Sequence, residues 1–297
     1  MIDLTDPGAL GEPPRRKPDW LKVRLASGES YEHLRQRVRD LELHTVCQEA
    51  MCPNIGECWS AGTATIMILG DTCTRGCHFC AVKTGSPRGE VDWMEPMRVA
   101  EAVKELGWKY LVLTAVDRDD LADGGAAIFA NTVRLIHKLA PDAKVECLTG
   151  DFAGDLGALE IVLESRPEVL AHNLETVERL QSTVRDRRAS FAQSLAILAH
   201  AKRSATVHYT KSSLMLGLGE REAEIEAAME AAREVGVDIF TMGQYLRPSK
   251  RHLPVAEFVT PEKFARLGEL ARTKGFRQVV ASPLSRSSYH AEQAFHP

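Results

Sequence analysis

Six of the seven cysteines fall between Cys47 and Cys80, a window of 34 residues in a chain of 297, where even scatter would place about one. Thiols gathered this closely are bridged in pairs, bound to metal, or used in redox chemistry. Disulfide stapling belongs to small secreted domains that cannot build a sufficient core. This chain, 44% hydrophobic and 26% charged, has the composition of an ordinary globular protein and needs no staples. Its first twenty residues, MIDLTDPGALGEPPRRKPDW, hold no apolar stretch of signal-peptide length. No run approaches the ~18 apolar residues of a spanning helix, so no membrane partner is expected and the expected location is the cytoplasm. In a reducing compartment an odd number of cysteines reads as ligands or nucleophiles. The 37 basic and 41 acidic residues leave a net charge of −4, spread evenly. A protein whose main partner is nucleic acid needs a stronger basic field, so none is expected.

Two cysteine triplets carry the metal chemistry. Cys73, Cys77 and Cys80 stand in GDTCTRGCHFCAV, just after an expected strand. Three thiolates on one tight loop hold three corners of a cubane iron–sulfur cluster and leave the fourth iron to an outside ligand. Gly76 allows the turn, and Phe79 is placed to shield the cluster from water. Cys77-x-x-Cys80 is also a common zinc half-site, but no matching paired knuckle follows. Cys47, Cys52 and Cys58, in VCQEAMCPNIGECWS, form the second triplet, with Pro53 and Gly56 as turn formers. The alternative is that all six thiols share zinc, although two different spacings fit two separate clusters better. Cys147 lies in a strand pattern and reads as a small buried hydrophobe.

Residues 1–30 are proline-rich and charged without apolar periodicity, which predicts an arm, and a short amphipathic helix is expected over 31–43. From residue 63 the chain alternates. Strands are expected at 63–69, 109–116, 144–149, 168–174, 206–216, 238–246 and 277–282. Helical stripes lie between them, on Val99, Val103 and Leu106, on Ile128, Thr132, Leu135 and Leu139, on Ile225, Met229 and Val235, and on Phe264, Leu267 and Ala271. Strand–helix repetition predicts a parallel sheet, either a β/α barrel or an open doubly wound sheet. No G-x-G-x-x-G follows the first strand, which favours a partial (β/α) TIM-type barrel of six to seven units with an N-terminal cysteine-bearing extension. The expected division is 1–62 for the arm and first triplet, 63–283 for the barrel, and 284–297 for a tail.

With these motifs in view, the chain resembles the lipoyl synthase family of radical S-adenosylmethionine (SAM) enzymes. The likeness runs from about Trp20 to the C-terminus, through EAMCPNIGECW, GDTCTRGCHFCAV, HNLETV, LMLGLGE, QYLRPSKRHLPV and RSSYHA. It implies sulfur insertion at C6 and C8 of an octanoyl group carried on a lysine of a lipoyl-domain protein. Two 4Fe–4S clusters are implied: one on Cys73, Cys77 and Cys80 that binds and cleaves SAM, and an auxiliary sulfur donor on Cys47, Cys52 and Cys58. Ser288 of RSSY is the implied fourth ligand of the auxiliary cluster, and a serine oxygen binds iron more weakly than thiolate does.

The partners implied are octanoylated lipoyl-domain proteins (2-oxoacid dehydrogenase acyltransferase subunits and the glycine cleavage H protein), an electron donor and an iron–sulfur carrier. Thr114, Asn173 and Glu175, at expected strand ends, are candidates to hold SAM, as are Asp117, Asp119, Asp120 and Thr176, although acidic loop residues are more often solvated turns. Lys211, Arg247, Lys250 and Arg251 are candidates for SAM's carboxylate or for an acidic face of the partner. His172, His208, His252 and His290 read as hydrogen-bonded structural residues. Gly150, Ser282 and Ser285 depart from the expected pattern, which has a proline or similar residue, a glycine and an apolar residue at those places. A tRNA methylthiotransferase, also a two-cluster enzyme, would need a basic appendage; a zinc-dependent interaction module would leave the barrel without a task.

Overall fold

The computed structural model describes residues 16–23, 28–60 and 64–288. Most of the expected arm, the first residue of the first expected strand, and Tyr289 and His290 lie outside the described residues.

The N-terminal extension is short and helical. Helix α1 (Glu29–Asp40) buries Leu34 and Val38, four residues apart on one face, and the Tyr31 ring packs 5.4 Å from that of Trp59. Strand β1 (His44–Thr45) leads directly into α2 (Val46–Glu49), where the Thr45 hydroxyl accepts from the Gln48 N–H and caps the helix. Helix α3 (Ile55–Ser60) completes it. Cys47 is therefore on α2, Cys52 in the intervening turn and Cys58 on α3. Pairing of β1 with β2 (Thr65–Ile68), antiparallel, fastens the extension to the sheet edge.

The barrel follows in chain order. After β2, a parallel ribbon of β3 (Thr72–Cys73) and β4 (Lys83–Thr84) closes off the cysteine loop. Then come α4 (Glu95–Leu106), β5 (Tyr110–Ala115), α5 (Ala126–Leu139), β6 (Lys144–Leu148), α6 (Leu156–Leu163), β7 (Val169–Ala171), α7 (Gln181–Val184) and α8 (Phe191–Arg203). The remainder is β8 (Tyr209–Leu216), α9 (Glu222–Glu234), β9 (Ile239–Gln244), α10 (Pro261–Thr273) and β10 (Gln278–Ala281). The sheet order is β1-β2-β5-β6-β7-β8-β9-β10, parallel from β2 onward. All four residues of β2 and all six of β9 are buried, as parallel strands covered on both faces require. Among the described residues no ladder joins β10 to β2, so the chain forms the expected partial barrel of seven parallel strands with its N-terminal extension.

Two crossover helices carry weak sequence signals. Helix α6, LGALEIVL, is apolar on most sides and shows no stripe, and α8 is rich in alanine. The fourth expected strand, at 168–174, is regular only over β7. Beyond it the backbone still follows β8, through His172 N–H to Lys211 O and a bridge of Glu175 to Leu214, but Glu175 adopts φ +65° and interrupts the regular strand. Towards the N-terminal ends of the strands, Lys211 Nζ bonds Glu146 at 2.9 and 3.0 Å and the Tyr110 hydroxyl donates to the same carboxylate. The buried Lys211–Glu146 pair, with the half-buried Tyr110, closes the barrel floor.

Candidate functional site

Active sites of β/α barrels lie at the C-terminal ends of the strands, and here that end opens into a cavity of about 560 Å³. Cys73, Cys77 and Cys80 line it from the loop after β2, and Cys47 and Cys52 face it from the extension. Ser287 and Ser288 enter from the tail after β10. Cys58, on α3, does not line the cavity and packs against the core. No cysteine is in a disulfide, and Cys147 is fully buried.

The cysteine loop is held by charge. Arg75, inside the motif and buried, donates from Nη2 to Asp119 at 2.8 Å and pairs through Nη1 with Asp151 at 2.7 Å. Thr74 donates its N–H to Asp117 O and its hydroxyl to Asp119 Oδ2. Asp186, braced by Arg188, accepts from Gly76 N–H at 2.9 Å. Main-chain N–H groups point at two of the sulfurs: Arg75 N lies 3.4 Å from Cys73 Sγ and Asp186 N lies 3.3 Å from Cys77 Sγ. Burial pushes the Cys80 thiol up to about 12, with Cys77 and Cys73 adding to it, and the Cys77 thiol up to about 11. Burial raises Cys47 and Cys52 as well, and the Arg286 guanidinium beside Cys52 opposes the rise. Sulfurs like these ionise when a metal replaces their protons.

The donor set fits an iron–sulfur cluster: half-buried thiols, N–H groups aimed at sulfur and the Phe79 ring lining the same cavity. The opposite wall fits a polar cofactor. Asn173 Oδ1 and Thr149 Oγ1 are buried against the cavity without a partner, and the Asn173 amide donates to Glu175 at 3.0 Å. Burial raises the Glu175 carboxyl, and its left-handed backbone is the kind of strain that clusters at ligand sites.

Of the other expected residues, Thr114 and Arg247 also line the cavity. The Thr114 hydroxyl is spent on Leu148 O at 2.7 Å, and Arg247 donates to the carbonyls of His252 and Lys250. Lys211 is not brought there, because its ammonium is committed to Glu146 in the barrel floor. Asp119 and Asp120 are not solvated turn residues: Asp119 holds Arg75, and Asp120 accepts from Arg118 at 2.8 Å. Asp117 does line the cavity, its carboxyl raised to about 6 by burial against the pull of Arg75.

Gly150 explains its own departure from the expected pattern, since a Cβ there would meet Asp117 Oδ1 at 2.3 Å. Ser282 and Ser285 share a 2.8 Å hydroxyl contact that shapes the tail. His172 bonds Thr149 O and Ser194, and His252 bonds Ser249 and Cys80 O. Sequence patterns missed Arg75, Asp151 and Asp186. A cationic residue between two cysteines, in TRG, was the only local signal for the first.

Comparison with known proteins agrees with this geometry. The Radical SAM superfamily model matches residues 67–232, and the N-terminal domain of lipoyl synthase of the radical SAM family matches residues 10–52. Lipoyl synthase of Thermus thermophilus is 59% identical over 281 residues, covering 95% of this chain and 87% of the relative. Lipoyl synthase 2, chloroplastic, of Zea mays is 53% identical, covering 96% and 80%, and lipoyl synthase of Sorangium cellulosum 50%, covering 94% and 79%. In fold, the chain is similar to the FeFe-hydrogenase maturase HydG from Carboxydothermus hydrogenoformans (TM-score 0.55, 12% identity, 90% of this chain and 77% of that one). It is also similar to methylornithine synthase (TM-score 0.54, 13% identity, 90% and 82%). A radical SAM enzyme works with a 4Fe–4S cluster and SAM, and the reaction of this family inserts sulfur into an octanoyl group on a lipoyl-domain protein. The chain belongs to the lipoyl synthase family of radical SAM sulfurtransferases.

Proposed function

We propose that Cys73, Cys77 and Cys80 hold the cluster that binds SAM, and that Cys47, Cys52 and Cys58, completed by Ser288, hold an auxiliary 4Fe–4S cluster that donates sulfur. The observation that carries this reading is that five of these six cysteines and Ser288 line one cavity, although the two triplets lie on either side of β2. When bound, the two clusters would supply two electrons and two sulfur atoms, and two molecules of SAM would each supply one 5′-deoxyadenosyl radical, one for a hydrogen at C6 and one for a hydrogen at C8.

The chain's own work is positioning. The Arg75–Asp119–Asp151 network sets the cysteine loop, and Asn173 and Glu175 offer acceptors and a donor to SAM's polar groups. Leu148, Met215 and Phe79 give the cavity apolar wall that keeps water from a radical and accepts an alkyl chain. Ser288 supplies a hard oxygen donor, whose bond to iron opens more readily than a thiolate's. Arg247 lies at the same cavity as a cation for a carboxylate. We assign residues 1–62 to the auxiliary-cluster extension, 63–283 to the barrel and 284–297 to the ligand-bearing tail. The protein partners we propose are octanoylated acyltransferase subunits of 2-oxoacid dehydrogenases and the glycine cleavage H protein, with an electron donor and an iron–sulfur carrier. We propose a cytoplasmic location, on the ground that an odd number of cysteines, six of them clustered with ligand spacing, suits a reducing compartment.

The test is iron and acid-labile sulfide on protein purified without oxygen, where two cubanes require about eight of each per chain. Cys73→Ala is expected to abolish 5′-deoxyadenosine formation. Cys52→Ala is expected to spare it while lipoyl product disappears. About four irons per chain, or lipoyl product from Cys52→Ala, removes the auxiliary cluster from the reading.

A further inference from the structure

The cysteine loop is anchored on one side by Arg75, Thr74 and Gly76 to the ends of β5, β6 and α7. On its other side no ladder joins β10 to β2 among the described residues, so apart from its own β3–β4 ribbon no sheet hydrogen bonds hold it. What reaches it there is the loop after β9. His252 Nε2 lies 3.0 Å from Cys80 O, and Leu253 N donates to His78 O at 3.2 Å. A carbonyl oxygen only accepts, so Nε2 carries the proton in this contact, while Nδ1 faces the Ser249 hydroxyl at 2.9 Å. The imidazole is buried, and its backbone is pinned in turn by Arg247 Nε, which donates to His252 O at 2.8 Å. The Tyr245 hydroxyl, donating to Leu253 O at 2.8 Å, ties the clasp back to the end of β9.

We infer that His252 is a positioning residue for the SAM-binding cluster. By holding the carbonyl of Cys80 it keeps the third sulfur in register with those of Cys73 and Cys77 across the open side of the barrel. The inference rests on the cluster assignment proposed above and concerns a residue that touches neither iron nor substrate.

Three variants separate positioning from packing. In His252→Gln the side-chain amide nitrogen reaches the place of Nε2 and still donates to Cys80 O. In His252→Asn it stops near the place of Nδ1, and His252→Ala removes both. The readouts are the rate at which a ferrous chelator strips iron from anaerobically reconstituted enzyme, in the phase that added SAM retards, and the electron paramagnetic resonance spectrum of the reduced cluster with and without SAM. His252→Gln is expected to stay within about twofold of the parent, and His252→Asn and His252→Ala to lose iron roughly tenfold faster with an altered spectrum. Equal behaviour of His252→Asn and His252→Gln, or parent-like rates in all three, overturns the inference while leaving the cluster assignment intact. A parent without any SAM-responsive cluster overturns that assignment, and this inference with it.

Discussion

Gly243→Ala should uncouple sulfur insertion from SAM cleavage. Gly243 lies in β9 at the cavity wall, and a Cβ there would stand 1.9 Å from Ser285 O and 2.9 Å from its carbonyl carbon. Ordinary carbon–oxygen approach is about 3.3 Å, so the tail must retreat by more than about 1 Å. The tail is not free to do so cheaply. Asn54 Nδ2 donates to Leu284 O at 2.8 Å, Gln244 N to Pro283 O at 3.2 Å, and Ser282 Oγ contacts Ser285 Oγ at 2.8 Å. Overpacking of this kind costs about 1–3 kcal/mol, which the fold survives. Ser288 lies three residues beyond the collision, and misplacing a reacting group by about 1 Å costs on the order of 100-fold in rate. The cysteine loop keeps its anchors at the ends of β5, β6 and α7, and the His252 clasp leaves β9 beyond Tyr245, past the collision. In an anaerobic single-turnover assay on an octanoyl-lysine peptide, with both products quantified by mass spectrometry, 5′-deoxyadenosine should stay within about twofold of the parent while lipoyl product falls roughly 100-fold. Parent-like lipoyl yield, or a parallel loss of both products, would refute the reasoning.

Three further outcomes are expected. Lys211→Met strands Glu146 in the barrel floor with only Tyr110, at a cost of about 3–5 kcal/mol in thermal unfolding, while SAM affinity measured by calorimetry is unchanged. Weaker SAM binding at unchanged stability would return Lys211 to the cofactor site. Ser288→Ala should stop sulfur insertion while sparing SAM cleavage, and Ser287→Ala should leave both intact; the opposite pattern would name the other serine. His172 is held down at about 4 by burial, with Arg185 adding to it, below the ordinary value of about 6.5. The unfolded chain therefore takes up the extra proton, so stability is full above pH 6.5 and drains as pH falls towards 4. Between pH 7 and pH 5 the loss is about 2 kcal/mol, and His172→Gln should flatten it in melting curves; equal pH slopes for variant and parent would contradict the shift.

Much of the fold was legible because its signals are local. Buried parallel strands announce themselves as short β-branched runs, and α4, α5, α9 and α10 carry apolar stripes. Helices α6 and α8 hide because one is apolar nearly all round and the other breaks its apolar stripe with four alanines. The two-residue strands β1, β3 and β4 have no room for a pattern at all. Charged residues were the least readable. Asp119 and Lys211 look alike as candidates on a strand or its end, yet one anchors the cysteine loop and the other plugs the opposite end of the barrel.

By itself the sequence determined the chemistry available: which atoms are thiols, how closely each triplet can gather, and that the chain alternates strand and helix. Those properties follow from residue type and from spacing over a few positions. Only the tertiary structure decided which groups meet. His252 reaches Cys80 across 172 positions, Asn54 reaches Leu284 across 230, and Arg75 meets Asp119 across 44. Such pairings depend on the register of the sheet and the length of every crossover, and burial then sets whether each group is neutral, paired or exposed to a ligand. Spacing along the chain carries no record of either.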